Sequence, residues 1–136
     1  MTDARHRVAG LDAAEIAAVA GDQSASIGEA YREFLKIAGK SAGRLFVGSD
    51  IFFPQMLGLW GDSKDLLDEN DCPPFLQSTD RVFMMHQGYQ FYFLRGIGDD
   101  PEVWSYYEGD STPKQDSPKF TDWLRCWVDR YLAALG

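Results

Sequence analysis

The chain has 136 residues, the size of one domain, and its 45% hydrophobic and 14% aromatic content is enough for a core and excludes a disordered tail. Its 21 acidic and 13 basic residues leave a net charge of −8. That excess argues against direct contact with nucleic acid or with an anionic membrane, since both need clustered Lys and Arg, and it suits a basic protein partner. The plain alternative is that acidity keeps the chain soluble.

Cys72 and Cys126 are too few to staple a secreted domain, and are expected as free thiols. MTDARHRVAG contains no apolar targeting segment, and no run is long enough to span a membrane. Cytoplasm is the expected compartment. One domain over 1–136 is expected, with its core at about 11–135.

In chain order, GLDAAEIAAVAG (residues 10–21) reads as a short helix. Asp12 is the cap, Glu15 completes a capping box, and Leu11 and Ile16 have the spacing of a hydrophobic staple. A second helix is expected over 26–38, with Ser26 as a candidate cap. Ile27, Tyr31, Phe34, Leu35 and Ala38 form one apolar stripe, and Gly39 ends the pattern. RLFVGSDIFF (44–53) favours strand, broken at Gly48-Ser49-Asp50. A short helix over 63–70, capped by Ser63 or Asp62, precedes a loop at Cys72-Pro73-Pro74.

RVFMMHQGYQFYFLR (81–95) reads as a β-hairpin. A two-residue Gln87-Gly88 turn would pair His86 with Tyr89 and Met84 with Phe91. Apolar side chains on both faces place this hairpin in the middle of a sheet rather than at its edge. A third strand is expected over 103–108, then a polar loop over 109–118. Phe120, Trp123, Leu124, Trp127, Val128, Tyr131, Leu132 and Leu135 recur at helical spacing and form the clearest helix. The fold class is therefore α+β, with a central, mainly antiparallel sheet and N-terminal and C-terminal helices packed against it.

Chemistry is harder to find. The histidines are His6 and His86, and neither has a metal-ligand spacing to a cysteine. Asp68, Glu69 and Asp71 lack the pattern of a calcium loop and read as solvated charge. No nucleophile elbow and no phosphate loop is present. His86 reads first as the closing residue of the hairpin, bonded to a backbone carbonyl or stacked on Tyr89. A binding role, and catalysis in a small hydrolase, are its alternatives. Trp60, Trp104 and Tyr106 are candidates either for an exposed aromatic patch or for covering the sheet.

YREFLKIAG (31–39), GSDIFFP (48–54), DRVFMMHQGYQFYFLR (80–95), DPEVWSYYEG (100–109) and FTDWLRCWV (120–128) resemble, in that order, the blocks of the SMI1/KNR4 family, also called the SUKH superfamily. The likeness covers about residues 11–135. It implies an α+β domain without a catalytic constellation, a cofactor or a metal. Tyr31, Phe34, Leu35, His86, Gly88, Tyr89, Phe91, Tyr106, Trp123 and Trp127 are then expected as fold determinants. Ala38-Gly39 stands where relatives commonly have Asn-Gly, a departure confined to a helix end.

Many bacterial members resemble immunity proteins that bind and block polymorphic toxins, often nucleases; others are linked to regulatory or scaffold roles. For this chain the resemblance implies a protein partner, a basic toxin domain, met by acidic loops. Those loops carry Asp62, Asp65, Asp68, Glu69 and Asp71, and Asp99, Asp100, Glu102, Glu108 and Asp110, with Trp60 or Trp104 as an anchor. A regulatory or scaffold adaptor is the alternative.

Overall fold

The computed structural model describes residues 7–96 and 98–135; His6 and the Leu135 side chain lie outside what it describes. Strand β1 (Val8–Ala9), helix α1 (Ala13–Asp22), helix α2 (Glu29–Ala38) and strand β2 (Ser41–Ala42) open the chain. Strand β3 (Ser49–Asp50) and helix α3 (Leu59–Glu69) follow, then the strands β4 (Arg81–His86), β5 (Gln90–Arg95), β6 (Glu102–Tyr107) and β7 (Lys114–Ser117), and last helix α4 (Phe120–Leu135). Strands β3 to β7 form one antiparallel sheet in sequential order, while β1 and β2 pair apart from it. This is the expected α+β class.

Helix α1 begins as its sequence directs. The Asp12 carboxylate accepts from the Glu15 N–H at 2.8 Å, and the Glu15 carboxylate accepts from the Asp12 N–H at 3.0 Å. Four other expectations need correction. Helix α2 starts at Glu29 and not at Ser26: Gly28, at φ 71°, holds the cap position, and no side chain caps the helix. Helix α3 starts at Leu59, behind the left-handed Gly58, so Ser63 lies inside the helix and donates its hydroxyl to the Leu59 carbonyl at 2.8 Å. Only Ser49 and Asp50 of the 44–53 run are strand; Leu45 makes a single antiparallel bridge to Ala42, and Phe46 sits in a turn at φ 63°. The 109–118 loop contains β7.

The hairpin is shifted by one residue at its tip. His86 pairs with Gln90, Met85 with Phe91 and Met84 with Tyr92, leaving a three-residue loop of Gln87, Gly88 and Tyr89. Gln87 at φ 50° and Gly88 at φ 79° turn the chain, and the Tyr89 ring meets His86 and Tyr107 at 5.5 and 5.3 Å. A bulge between Val82 and Met84 absorbs the shift, so Val82 still pairs with Phe93.

Both faces of the sheet are covered. On one, Phe83 and Tyr92 pack beneath α2 and α4; Phe83 meets Trp123 edge-on at 5.1 Å, and Tyr31 meets Phe120 at 5.8 Å. Phe46 stacks on Trp123 at 5.6 Å, burying an aromatic side chain against the strain of its positive φ. On the other face Phe75 covers Phe91, Phe93 and Tyr106 at 5.6–6.2 Å. Tyr31, Phe34, Leu35, Phe91, Tyr106 and Trp123 are all buried, and Trp127 is half-buried.

Polar groups also hold the sheet. Buried Asp80 receives the Arg95 fork at 2.8 and 3.0 Å and the Gln77 N–H at 2.8 Å. Arg81 is 1% exposed and donates to the carbonyls of Val19, Ala20 and Ala25, at and beyond the last turn of α1. The Gln23 side-chain amide closes a two-way pair on Val82: its nitrogen donates to the carbonyl at 2.7 Å, and its oxygen accepts from the N–H at 2.9 Å.

The buried phenols make the fold alkali-sensitive. Burial raises Tyr31 well above the ordinary phenol range and raises Tyr92, whose rise Asp116 adds to; burial and then the Cys72 thiol push Tyr106 up to about 12. A raised native value stabilises the fold fully below the unfolded value near 10, and the gain is lost as pH climbs through the native value. Stability should therefore fall above pH ~10, by up to about 1.4 kcal/mol per pH unit for each phenol. Urea titrations across that range check this, and Tyr106→Phe should reduce the slope; a flat profile to pH ~11 would contradict it.

Candidate binding surface

Helix α3 shows two faces. Leu59, Ser63, Leu66 and Leu67 are buried, while Asp62, Asp65, Asp68 and Glu69 are exposed, and Asp71 continues the acidic edge just past the helix. Trp60 is half-buried against the core. Acidic residues in the last turn oppose the helix dipole, by about 0.3–1 kcal/mol each at the surface. Helix α3 carries no basic residue there, so Asp68 and Glu69 are not explained by helix stability.

One side chain joins this edge to a second acidic stretch. The Asn70 carbonyl oxygen accepts from the Gly109 N–H at 2.9 Å, while its amide nitrogen donates to the Leu66 carbonyl at 2.8 Å. The Cys72 thiol adds a weaker bond to the Ser111 carbonyl at 3.6 Å. Exposed Glu108 and Asp110 are thereby set beside the C-terminal end of α3.

Asp99, Asp100 and Glu102 are placed elsewhere. They lie at the other end of β6, roughly 20 Å from Glu108 at the rise of a strand. The Asp100 carboxylate accepts from the Thr121 N–H at 3.0 Å and from its hydroxyl, filling the N-terminus of α4. Glu102 accepts from the Trp104 indole at 2.9 Å. Trp104 is half-buried, stacked on Phe93 at 6.4 Å with the Arg95 guanidinium over its ring at 5.1 Å. Tyr106 is fully buried, so it covers the sheet and belongs to no exposed patch. The acidic loops therefore form two separate groups.

A cleft of about 470 Å³ opens at the hairpin tip, between the 44–49 turn and α4. The Arg44 N–H donates to the Tyr131 hydroxyl at 3.3 Å across this junction. Sequence reasoning named His86 and Tyr89 here but missed Arg44, Ser49, Tyr107 and Arg130. Arg44 and Tyr131 are 87 residues apart, and no local pattern signals that they meet.

Among the described residues no group of three His, Cys, Asp or Glu could hold a metal ion, and no helix is long and apolar enough to cross a membrane. The model of the SMI1 / KNR4 family (SUKH-1) matches residues 10–126. The chain belongs to the SMI1/KNR4 family. Comparison with curated proteins gives no match.

The SUKH-1 match takes in the whole main sheet, and it ends within α4, one residue before Trp127. At the tip of this domain His86 Nδ1 lies 2.8 Å from Ser49 Oγ, with the ring edge-on to Tyr89. The ring thus packs on Tyr89, and its nitrogen meets a hydroxyl in place of a backbone carbonyl. A nucleophilic serine needs a base that a third group orients. Among the described residues no carboxylate bonds to His86, so Ser49 and His86 are read as a tie between β3 and β4, two strands that pair at this point.

Proposed function

We propose that this SUKH-1 domain is a non-enzymatic protein-binding module, acting in the cytoplasm as an immunity protein that binds and neutralises a basic toxin domain. The observation that supports the reading best is the joined acidic edge: Asp62, Asp65, Asp68, Glu69 and Asp71 on and beside α3, with Glu108 and Asp110 held next to them by Asn70. Such an edge complements a nuclease, whose substrate groove must be positive to hold phosphates. Seated there, it would exclude the nucleic acid and steer encounter with the toxin. Trp60 beside the edge is the aromatic anchor on this reading. Asp99, and Trp104 with Glu102, form a secondary contact at the far end of β6.

Co-purification with the product of an adjacent gene is the direct test. A variant with Asp68→Lys, Glu69→Lys and Glu108→Lys should associate with that partner about tenfold more slowly at low ionic strength, and lose most of the salt dependence. The fold should be unaffected, since all of these side chains are exposed. A toxin-sized neighbour that fails to bind at micromolar concentration, or a variant that binds as the parent does, would overturn the reading.

A further inference from the structure

The cleft at the hairpin tip has the opposite charge to the rest of the domain. Arg44 and Arg130 line it, no Asp or Glu does, and the chain as a whole is at −8. Neither arginine is spent on an ion pair among the described residues. Arg130 lies over the Trp127 ring at 5.7 Å, and Tyr107, 48% exposed, lines the cleft beside Tyr89. One cationic fork over an aromatic ring, with a second arginine lining the same cleft, suits a ligand with carboxylates next to a flat or apolar side chain.

We propose that this cleft docks an acidic segment of a partner protein, with carboxylates at Arg44 and Arg130 and an aromatic side chain between Tyr89, Tyr107 and Trp127. Protein fits better than nucleic acid. A polyphosphate backbone would carry its further charges onto Glu108 and Asp110, one and three positions past Tyr107, whereas a short acidic segment needs only the two cations. Arg130 and Trp127 lie past the stretch that the family model matches, while most of the lining lies within it. The proposal goes beyond the toxin reading and does not depend on it: any partner with such a segment would serve.

The test uses the full chain and a random copolymer of glutamate and tyrosine, which samples many acidic-aromatic sequences. The copolymer should quench tryptophan fluorescence and shift the backbone resonances of Arg44, Tyr89, Tyr107 and Arg130. Because the acidic body of the protein repels it, binding must be local. Arg44→Glu and Arg130→Glu should each weaken binding by about tenfold or more, with an unchanged thermal melt. Tyr107→Ala should weaken it as well. A copolymer of lysine and tyrosine should produce no shifts at the cleft. No binding of the acidic copolymer, binding by both arginine variants as tight as the parent's, or tighter binding of inorganic polyphosphate would overturn the proposal. Failure of the toxin partner to bind would leave these results untouched.

Discussion

Arg81→Ala is expected to lower the stability of the domain by about 3–5 kcal/mol, a third or more of what a domain of this size commonly has. The Arg81 guanidinium is buried and faces carbonyls: Val19 at 3.0 Å, Ala20 at 3.1 Å, and Ala25. Burial lowers its affinity for the proton, while Tyr31 and Asp22 nearby raise it. Truncation removes charge-assisted bonds, leaves buried carbonyls without donors and opens a cavity between α1 and β4. Arg81→Lys should recover only part of the loss, since one ammonium group cannot reproduce a planar fork. Urea denaturation of the parent and both variants measures this. A loss under about 1 kcal/mol for Arg81→Ala would mean that water satisfies those carbonyls at little cost.

Trp123→Ala should cost a similar amount, about 3–5 kcal/mol, and lower the melting temperature by about 10 °C or more. Its indole meets five other rings, those of Phe46, Phe83, Tyr92, Phe120 and Trp127, at 5.1–6.0 Å. It therefore joins the 44–49 turn, the sheet and α4 at one point. Trp123→Phe should keep much of the stability, because a smaller ring still fills part of that space. Thermal melts followed by circular dichroism compare the three proteins. A Trp123→Ala variant melting within a few degrees of the parent would place the main junction of α4 elsewhere.

What could be read from the sequence was local. The Asp12–Glu15 box acts over three residues, and the α4 stripe repeats over sixteen, so each carries its own signal. The start of α3 was misread because Ser63 has the chemistry of a cap, while the true boundary depends on Gly58 adopting a left-handed conformation. The hairpin tip was misread because a bulge at Phe83 frees one extra residue for the loop. That bulge is set by tertiary packing, where the Phe83 ring enters the cluster around Tyr31 and Phe120. The same limit applies to the surfaces. The acidity of α3 is written in one stretch, but its junction with Glu108 and Asp110 rests on Asn70 reaching Gly109, 39 positions away. Asp100 reads as a loop acid and is in fact the partner of the α4 N-terminus. The cleft draws together Arg44 and Arg130, which stand far apart in the chain, and neither has an informative neighbour.

The Gln23 amide has a consequence for how the protein behaves in a crowded solution. Strand β3 pairs with β4 only at Met85 and His86, so the backbone of β4 beyond that point would otherwise offer free donors and acceptors at an open margin of the sheet. Such a margin invites a strand from another molecule, the first step of edge-to-edge aggregation. Gln23 occupies both backbone groups of Val82, next to the bulge that already bends the margin out of line. At the opposite margin β7 is four residues long and exposes Lys114 and Asp116. Each margin is thus closed to strand addition by a different means, one by a single borrowed amide and the other by brevity and charge. A sheet this rich in aromatic side chains is thereby guarded at both margins against edge-to-edge pairing.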